Sequence, residues 1–331
     1  MSDALLVAVI AIALIFDFTN GFHDTANAVA TTVSTRALPP RVAVGVAAIA
    51  NFAGAFVSTA VAGSLASGLI DPDVATGRVI LAGLVGAIAW NLFTWYLGLP
   101  SSSSHALIGG LIGATLAGPG STAVLWTGLW EKVVLPGLTS PLIGFFLAGV
   151  AIVVIFWLFR RGKPAPLNRG FRASQVVSGT LMAFFHGTND AQKTMGVIAL
   201  SLYISGHSTD PKHVDDWVKV AAGAAIGLGT YVGGWRIMRT MGTRIFKLEP
   251  PQGFAAQTTA SAVLYTVATR YGFPVSTTHV ISSSVMGAGA TTRVSAVRWG
   301  VAADIVTAWL LTIPAAGLVA AGMYEIMNTF M

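Results

Sequence analysis

Residues 98–110 read GLPSSSSHALIGG, and residues 272–284 read GFPVSTTHVISSS. Gly98, Pro100, Ser102 and His105 stand opposite Gly272, Pro274, Ser276 and His279, each pair 174 positions apart. Both stretches lie between apolar runs, with a glycine and a proline to turn the chain and hydroxyls at the turn. That is the pattern of a helical hairpin with a polar tip. A second pair of motifs precedes them in the same order. FHDTANAVATT (22–32) matches TNDAQKTMGVI (188–198), with Asp24 opposite Asp190 and Asn27 opposite Lys193. Two motifs recurring in one order mark an internal duplication.

The surroundings of the motifs are those of a membrane protein. Of the 331 residues, 54% are hydrophobic and only 10% charged, against about 25% charged in soluble domains; mean hydropathy is +0.72. The net charge of +6 then reports topology rather than a nucleic-acid partner. Absence of cysteine excludes disulfides and thiolate metal sites. The opening run MSDALLVAVIAIALIFDF has no basic leader and no small-residue cleavage site, so it reads as a retained first helix.

About 20 apolar residues cross a bilayer. Candidate segments are 4–34, 41–69, 77–97, 101–118, 134–160, 172–205, 217–240, 254–271, 274–291 and 297–327. The pairs 77–118 and 254–291 are the two hairpins, and each adds no net crossing. Each half then makes an odd number of crossings, so the halves lie upside down relative to each other. The expected fold is an all-α polytopic membrane protein of two inverted repeats, with broken helices and hairpins meeting near the midplane. The repeats are 1–160 and 173–331, joined by a cytoplasmic linker at 161–172. With both termini outside, thirteen of the nineteen basic residues fall in inside loops, among them Arg160, Arg161, Lys163, Arg169 and Arg172. Only Arg78, Lys132, Lys212 and Lys219 fall outside, in accord with the excess of positive charge on the cytoplasmic side.

The motifs suggest chemistry. A proline at the first helical position leaves free N–H groups behind it, and a helix N-terminus attracts anions. Ser101, Ser102, Ser103 and Ser104 on one tip, with Ser276, Thr277 and Thr278 on the other, would form a cage of donors suited to a tetrahedral oxyanion. Helix capping is the plainer use of such hydroxyls. Asp24 and Asp190 stand in apolar segments, where a carboxylate costs about 2.5 kcal/mol or more unless paired. Asp24 and Asn27, one turn apart, offer two hard oxygens to a small cation. In the second copy the ammonium of Lys193 neutralises Asp190 or touches the anion, in place of a cation. His23, His105, His186 and His279 fit no compact metal motif and read as proton relays or caps, with no metal expected. Asn51, Asn91 and Gln257 read equally as interhelical hydrogen bonds or ligand contacts.

Together GFHDTANAVAT, PSSSSHALIGG, HGTNDAQKTMG and PVSTTHVISSS resemble the inorganic phosphate transporter (PiT) family of secondary transporters, over nearly the whole chain. The resemblance implies symport of inorganic phosphate with sodium or a proton by alternating access, with phosphate between two hairpin tips and two broken helices. It implies ion and phosphate roles for Asp24, Asn27, Asn189 and Asp190, and no enzyme activity or cofactor beyond the coupling ion. His23 and His186 are the expected proton carriers. The pairs His23-Asp24 and Gln192-Lys193 depart from the sodium-coupled pattern and resemble the bacterial low-affinity branch, which is similar to proton symporters and to carriers of metal–phosphate complexes. The expected setting is the inner membrane, with phosphate, a cation, lipid and a second copy of the chain as partners. Sulfate:cation symport on the same scaffold, and an intramembrane hydrolase using Asp and His, are the alternative readings.

Overall fold

A computed structural model describes residues 1–330; the last residue of the expected second repeat, 331, lies outside the described residues. Every named element is helical. The first half holds α1 (Asp3–Ser34), α2 (Pro40–Gly54), α3 (Ala60–Gly68), α4 (Gly77–Leu97), α5 (Ser103–Ala117), α6 (Trp126–Leu129) and α7 (Leu135–Leu158). The second holds α8 (Pro164–Ile204), α9 (Asp216–Val232), α10 (Trp235–Arg239), α11 (Pro250–Leu264), α12 (Thr277–Thr292) and α13 (Trp299–Phe330). The same order of elements recurs, down to a short 3₁₀ turn after each hairpin at Ser121–Ala123 and Val294–Ala296. A π-helical turn joins α6 to α7, another (Thr240–Arg244) follows α10, and a third (Tyr265–Arg270) ends α11.

Among the described residues, four helical stretches are long and apolar enough to cross a membrane: Asp3–Ser34, Gly77–Leu97, Trp126–Leu158 and Trp299–Phe330. At 1.5 Å per residue, the 32 residues of α1 extend for about 48 Å. Large apolar side chains such as Phe146, Leu310 and Leu318 point outward, while Asp, Asn, Ser and Lys side chains fill the interior. This reversal of the soluble pattern suits a hydrocarbon surrounding.

The two halves exchange partners. Helix α13 packs along α4 and α5, α7 packs along α11 and α12, and both α1 and α8 contact α9. Small residues permit the approach: a methyl on Gly113 would stand 2.2 Å from the Gly317 carbonyl, and one on Gly287 2.0 Å from that of Phe145.

The structure locates the helix breaks, the hairpin prolines and the linker, and corrects the reading of the prolines. The helices bearing Asp24 and Asp190 are unbroken, because neither α1 nor the body of α8 contains a proline. The interruptions lie instead in the next helix of each half, between Gly54 and Ala60 and at Gly233–Gly234. Segments 41–69 and 217–240 are therefore each two helices. The prolines of the hairpins do not occupy the first helical position. Helices α5 and α12 begin at Ser103 and Thr277, after the caps Ser102 and Ser276, so Pro100 and Pro274 sit in the turn itself. The turn is made possible by Gly98 and Gly272, both at φ +68°, a conformation that costs other residues free energy. Finally, the stretch 161–172 is helical from Pro164 onward.

Candidate functional site

On α1, Asp17, Asn20, His23, Asp24 and Asn27 recur at helical spacing and share one face; His186, Asn189, Asp190 and Lys193 do the same on α8. The faces meet inside the protein, where no residue from His23 through Lys193 in these two sets exceeds 3% exposure. The two hairpin tips close over them.

Each helix holds a hydroxyl of the other half's hairpin. From α1, the Asn27 amide donates to Thr277 Oγ1 (3.1 Å) and Thr278 Oγ1 (2.9 Å), while Thr278 donates to Asp24 Oδ1 at 3.4 Å. From α8, the Lys193 ammonium donates to Ser104 Oγ and to Asp190 Oδ1, and reaches the Val275 carbonyl at 3.5 Å. Asn189 donates to the same carbonyl at 2.8 Å and to Asp190 Oδ1 at 2.6 Å. Ser104 donates to it as well, at 3.3 Å. The Val275 carbonyl thus lies against three side chains from outside its own hairpin.

The histidines fix where protons can reside. His23 Nδ1 lies 2.7 Å from Asp24 Oδ1, and Nε2 lies 3.0 Å from Thr94 Oγ1. Thr94 itself donates to the Trp90 carbonyl at 2.9 Å and accepts from Ser101 at 2.8 Å. With its hydrogen so used, Thr94 accepts from His23 Nε2, and the contact between Nδ1 and Asp24 then needs a second proton. His186 is arranged alike. Its Nδ1 lies 2.9 Å from Asn51 Oδ1, whose amide nitrogen donates to Thr230 at 2.7 Å. Its Nε2 lies 3.0 Å from Asp190 Oδ2 and 3.9 Å from Asp24 Oδ2. The nearer contact is within ion-pair range but off the line of a hydrogen bond, for both atoms remain without a hydrogen-bond partner. His186 stands between the two carboxylates.

Several buried atoms have no hydrogen-bond partner in the protein: Asn27 Oδ1, Asn189 Oδ1, Asp190 Oδ2 and Ser103 Oγ in the centre, and both Asp17 oxygens, both Asn20 polar atoms and Thr194 Oγ1 nearby. Buried polar atoms in proteins are satisfied as a rule, so acceptors and a hydroxyl left over in one cluster mark a place for a polar guest.

The expected residues are thus gathered in one place, with distinct roles. Ser102 and Ser276 cap their helices by accepting the N–H of His105 (3.1 Å) and His279 (3.2 Å). Ser101 serves Thr94, Ser104 serves Lys193, and Thr277 and Thr278 serve Asn27. His105 and His279 stand outside the cluster, ring against ring at 4.8 Å, with His279 stacked on Trp309. Asn51 and Gln257 make interhelical hydrogen bonds. Oxygen or nitrogen ligand atoms of Asp24, His186 and Asp190 lie within 4.8 Å of one another, a set that sequence spacing cannot reveal because its members come from two distant helices. Three participants escaped the sequence reading. Thr94 orients His23. Asn20 continues the spacing of Asp17, Asp24 and Asn27, which was its available signal. Gln192 accepts the N–H groups of Val61 (2.8 Å) and Ala62 (3.4 Å), capping α3 beyond the break.

Comparison with known proteins places this arrangement. Residues 20–320 match the model of the phosphate transporter family. The chain is 51% identical over 321 residues to a "probable low-affinity inorganic phosphate transporter" of Rhizobium meliloti, covering 97% of this chain and 96% of that one. A protein of the same description from Bacillus subtilis is 45% identical, with 98% and 99% covered. A solved structure described as "the sodium-dependent phosphate transporter" superposes with a TM-score of 0.84 over 99% of this chain and 100% of that one, at 22% identity.

Proposed function

The chain belongs to the phosphate transporter family, and on that premise we propose that it couples the entry of inorganic phosphate to that of a cation by alternating access. Membership in a family of transporters sets aside the hydrolase reading, and sulfate is not the favoured anion. Phosphate binds where the two tips meet α1 and α8. Lys193 and the Ser103 hydroxyl supply donors. The unpartnered oxygens of Asn27 and Asn189 supply acceptors, which a protonated phosphate can use and a sulfate cannot. That mixture of spare donor and spare acceptors in one buried cluster is the observation that carries the reading.

The coupling ion in this reading is a proton. His23 and Asp24 share it, His186 links it to Asp190, and its arrival offsets the cost of taking the anion into a low dielectric. Binding of proton and anion favour each other reciprocally. The supporting architecture is two inverted repeats, 1–160 and 173–331, whose hairpins reach the midplane from opposite sides of the inner membrane, with both termini outside. Uptake into proteoliposomes, with pH and sodium varied separately, tests this. Accumulation should follow the pH gradient and be unchanged when choline replaces sodium. Dependence on sodium at fixed pH would overturn the coupling assignment, and the absence of accumulation under any gradient would overturn symport.

One observation favours a second form of the cargo. Asp24, His186 and Asp190 make a ligand set of the kind that suits a divalent cation, so a metal–phosphate complex would fit between the carboxylates and the tips. Stoichiometric uptake of labelled divalent metal with phosphate would establish that form.

A further inference from the structure

Beneath the turn of the first hairpin lies a cavity of about 420 Å³ that shares no residue with the buried cluster. Its walls include Tyr96 and Gly98 of the turn, Trp235, and the guanidinium side chains of Arg236, Arg239 and Arg244; no aspartate or glutamate is among its lining residues. Arg236 is held in place. Its Nη1 donates to the Tyr96 carbonyl at 2.6 Å, and its guanidinium lies 4.8 Å from the centre of the Tyr96 ring and 5.5 Å from that of Trp95. One turn on, Thr240 donates to the Gly98 carbonyl at 2.8 Å. Two side chains beside the cavity therefore secure the hairpin turn through its backbone. We propose that this cavity binds the phosphate group of an anion, free inorganic phosphate or an anionic lipid headgroup, and that occupancy loosens the first hairpin.

Three guanidinium groups without an acid among them suit a phosphate, whose oxygens they meet in paired hydrogen bonds. Tyr96 and Trp235 are 64% and 49% exposed, as aromatic side chains are at the headgroup level of a bilayer. Arg236 donates to the Tyr96 carbonyl with charge on the donor alone, whereas a phosphate oxygen would put charge on both partners and offer a paired, bidentate contact. A bound anion thus draws Arg236 from the turn and leaves Thr240 and Trp309 to hold its backbone. A surface that merely orients the chain in the membrane needs positive charge and nothing more. A binding site also needs the planar fork of arginine, and this separates the two.

The test uses the full-length protein and two double variants, R239Q/R244Q and the charge-preserving R239K/R244K. Initial phosphate uptake is measured in phosphatidylcholine liposomes with and without phosphatidylglycerol, and inorganic phosphate binding is measured on delipidated protein in detergent. The wild type should show either a rise in uptake of about fivefold with phosphatidylglycerol, as expected for cations facing an anionic surface, or a second, weaker class of phosphate sites. Both variants should lose that response while basal uptake in phosphatidylcholine stays within about twofold. Loss of the lipid response identifies a headgroup, and loss of the second class identifies free phosphate. A wild type with neither response, or a lysine variant that keeps the whole response, overturns the proposal. If the glutamine variant fails to insert, the lysine variant decides alone. Because basal uptake is read separately, failure here is distinct from failure of the transport reading on which the proposal rests.

Discussion

Asp24 and Asp190 occupy matching places in the two halves but have different company. Asp24 faces the His23 imidazole at 2.7 Å and the Thr278 hydroxyl at 3.4 Å, neither of them an ammonium. Asp190 faces the ammonium of Lys193, with His186 on its other side. Across the pseudo-equivalent position, Asn27 and Lys193 both hold hydroxyls of the opposite hairpin, yet only one carries charge. A duplicated fold has kept its geometry and divided its electrostatics. In the proposed mechanism the first carboxylate exchanges a proton and the second is balanced by Lys193.

The sharpest way to break the comparison is to remove the balance. Lys193→Met leaves Asp190 buried without its cation, a change that typically costs about 3–5 kcal/mol. Thermal unfolding in detergent should register a large loss of stability and uptake should vanish. Adding Asp190→Asn should recover most of the stability but none of the transport. A double variant as unstable as the single one would show that the pair contributes nothing. Next comes Asp24→Asn, which should fold and insert yet lose at least about a hundredfold in concentrative uptake, as expected when an essential proton carrier is removed. Accumulation at the wild-type level in proteoliposomes would take Asp24 out of the mechanism. Lys193→Asn makes the second half resemble the first. It should introduce stimulation by sodium, since an amide and Asp190 together offer oxygens to a small cation; unchanged ion dependence would mean that Lys193 does not stand in for an ion. Smaller still, Asn27→Ala removes two donors from the second tip at about 1 kcal/mol each. A rise in KM for phosphate of roughly thirtyfold with expression unchanged would fit, whereas an unaltered KM would confine Asn27 to packing.

Much of this arrangement was legible in the chain, and the reason is local. Glycine, proline, hydroxyls and histidine recur 174 residues apart, and a hairpin turn depends on its own few residues. Gly98 and Gly272 share one backbone conformation because the turn demands it. The buried acids were legible too, because ionised groups in apolar runs are costly wherever they stand. What escaped depends on distant partners. The break after Gly54 has neither glycine nor proline within it, and the helix beyond it is capped by Gln192 from α8, a contact that no local pattern announces. The broken helices are those of segments 41–69 and 217–240, whereas α1 and the body of α8 carry many polar residues but no proline to remove a backbone donor. Asp17 sits near the middle of α1 and is fully buried.

The ammonium of Lys193 touches Ser104 of one hairpin, and its reach of 3.5 Å to the Val275 carbonyl touches the other. A single bolt thus engages both hairpins. In the proposed alternating access, whichever of these doors swings first must slide off that bolt, and the charge left behind pulls toward the door still shut, which disfavours a leak with both ajar.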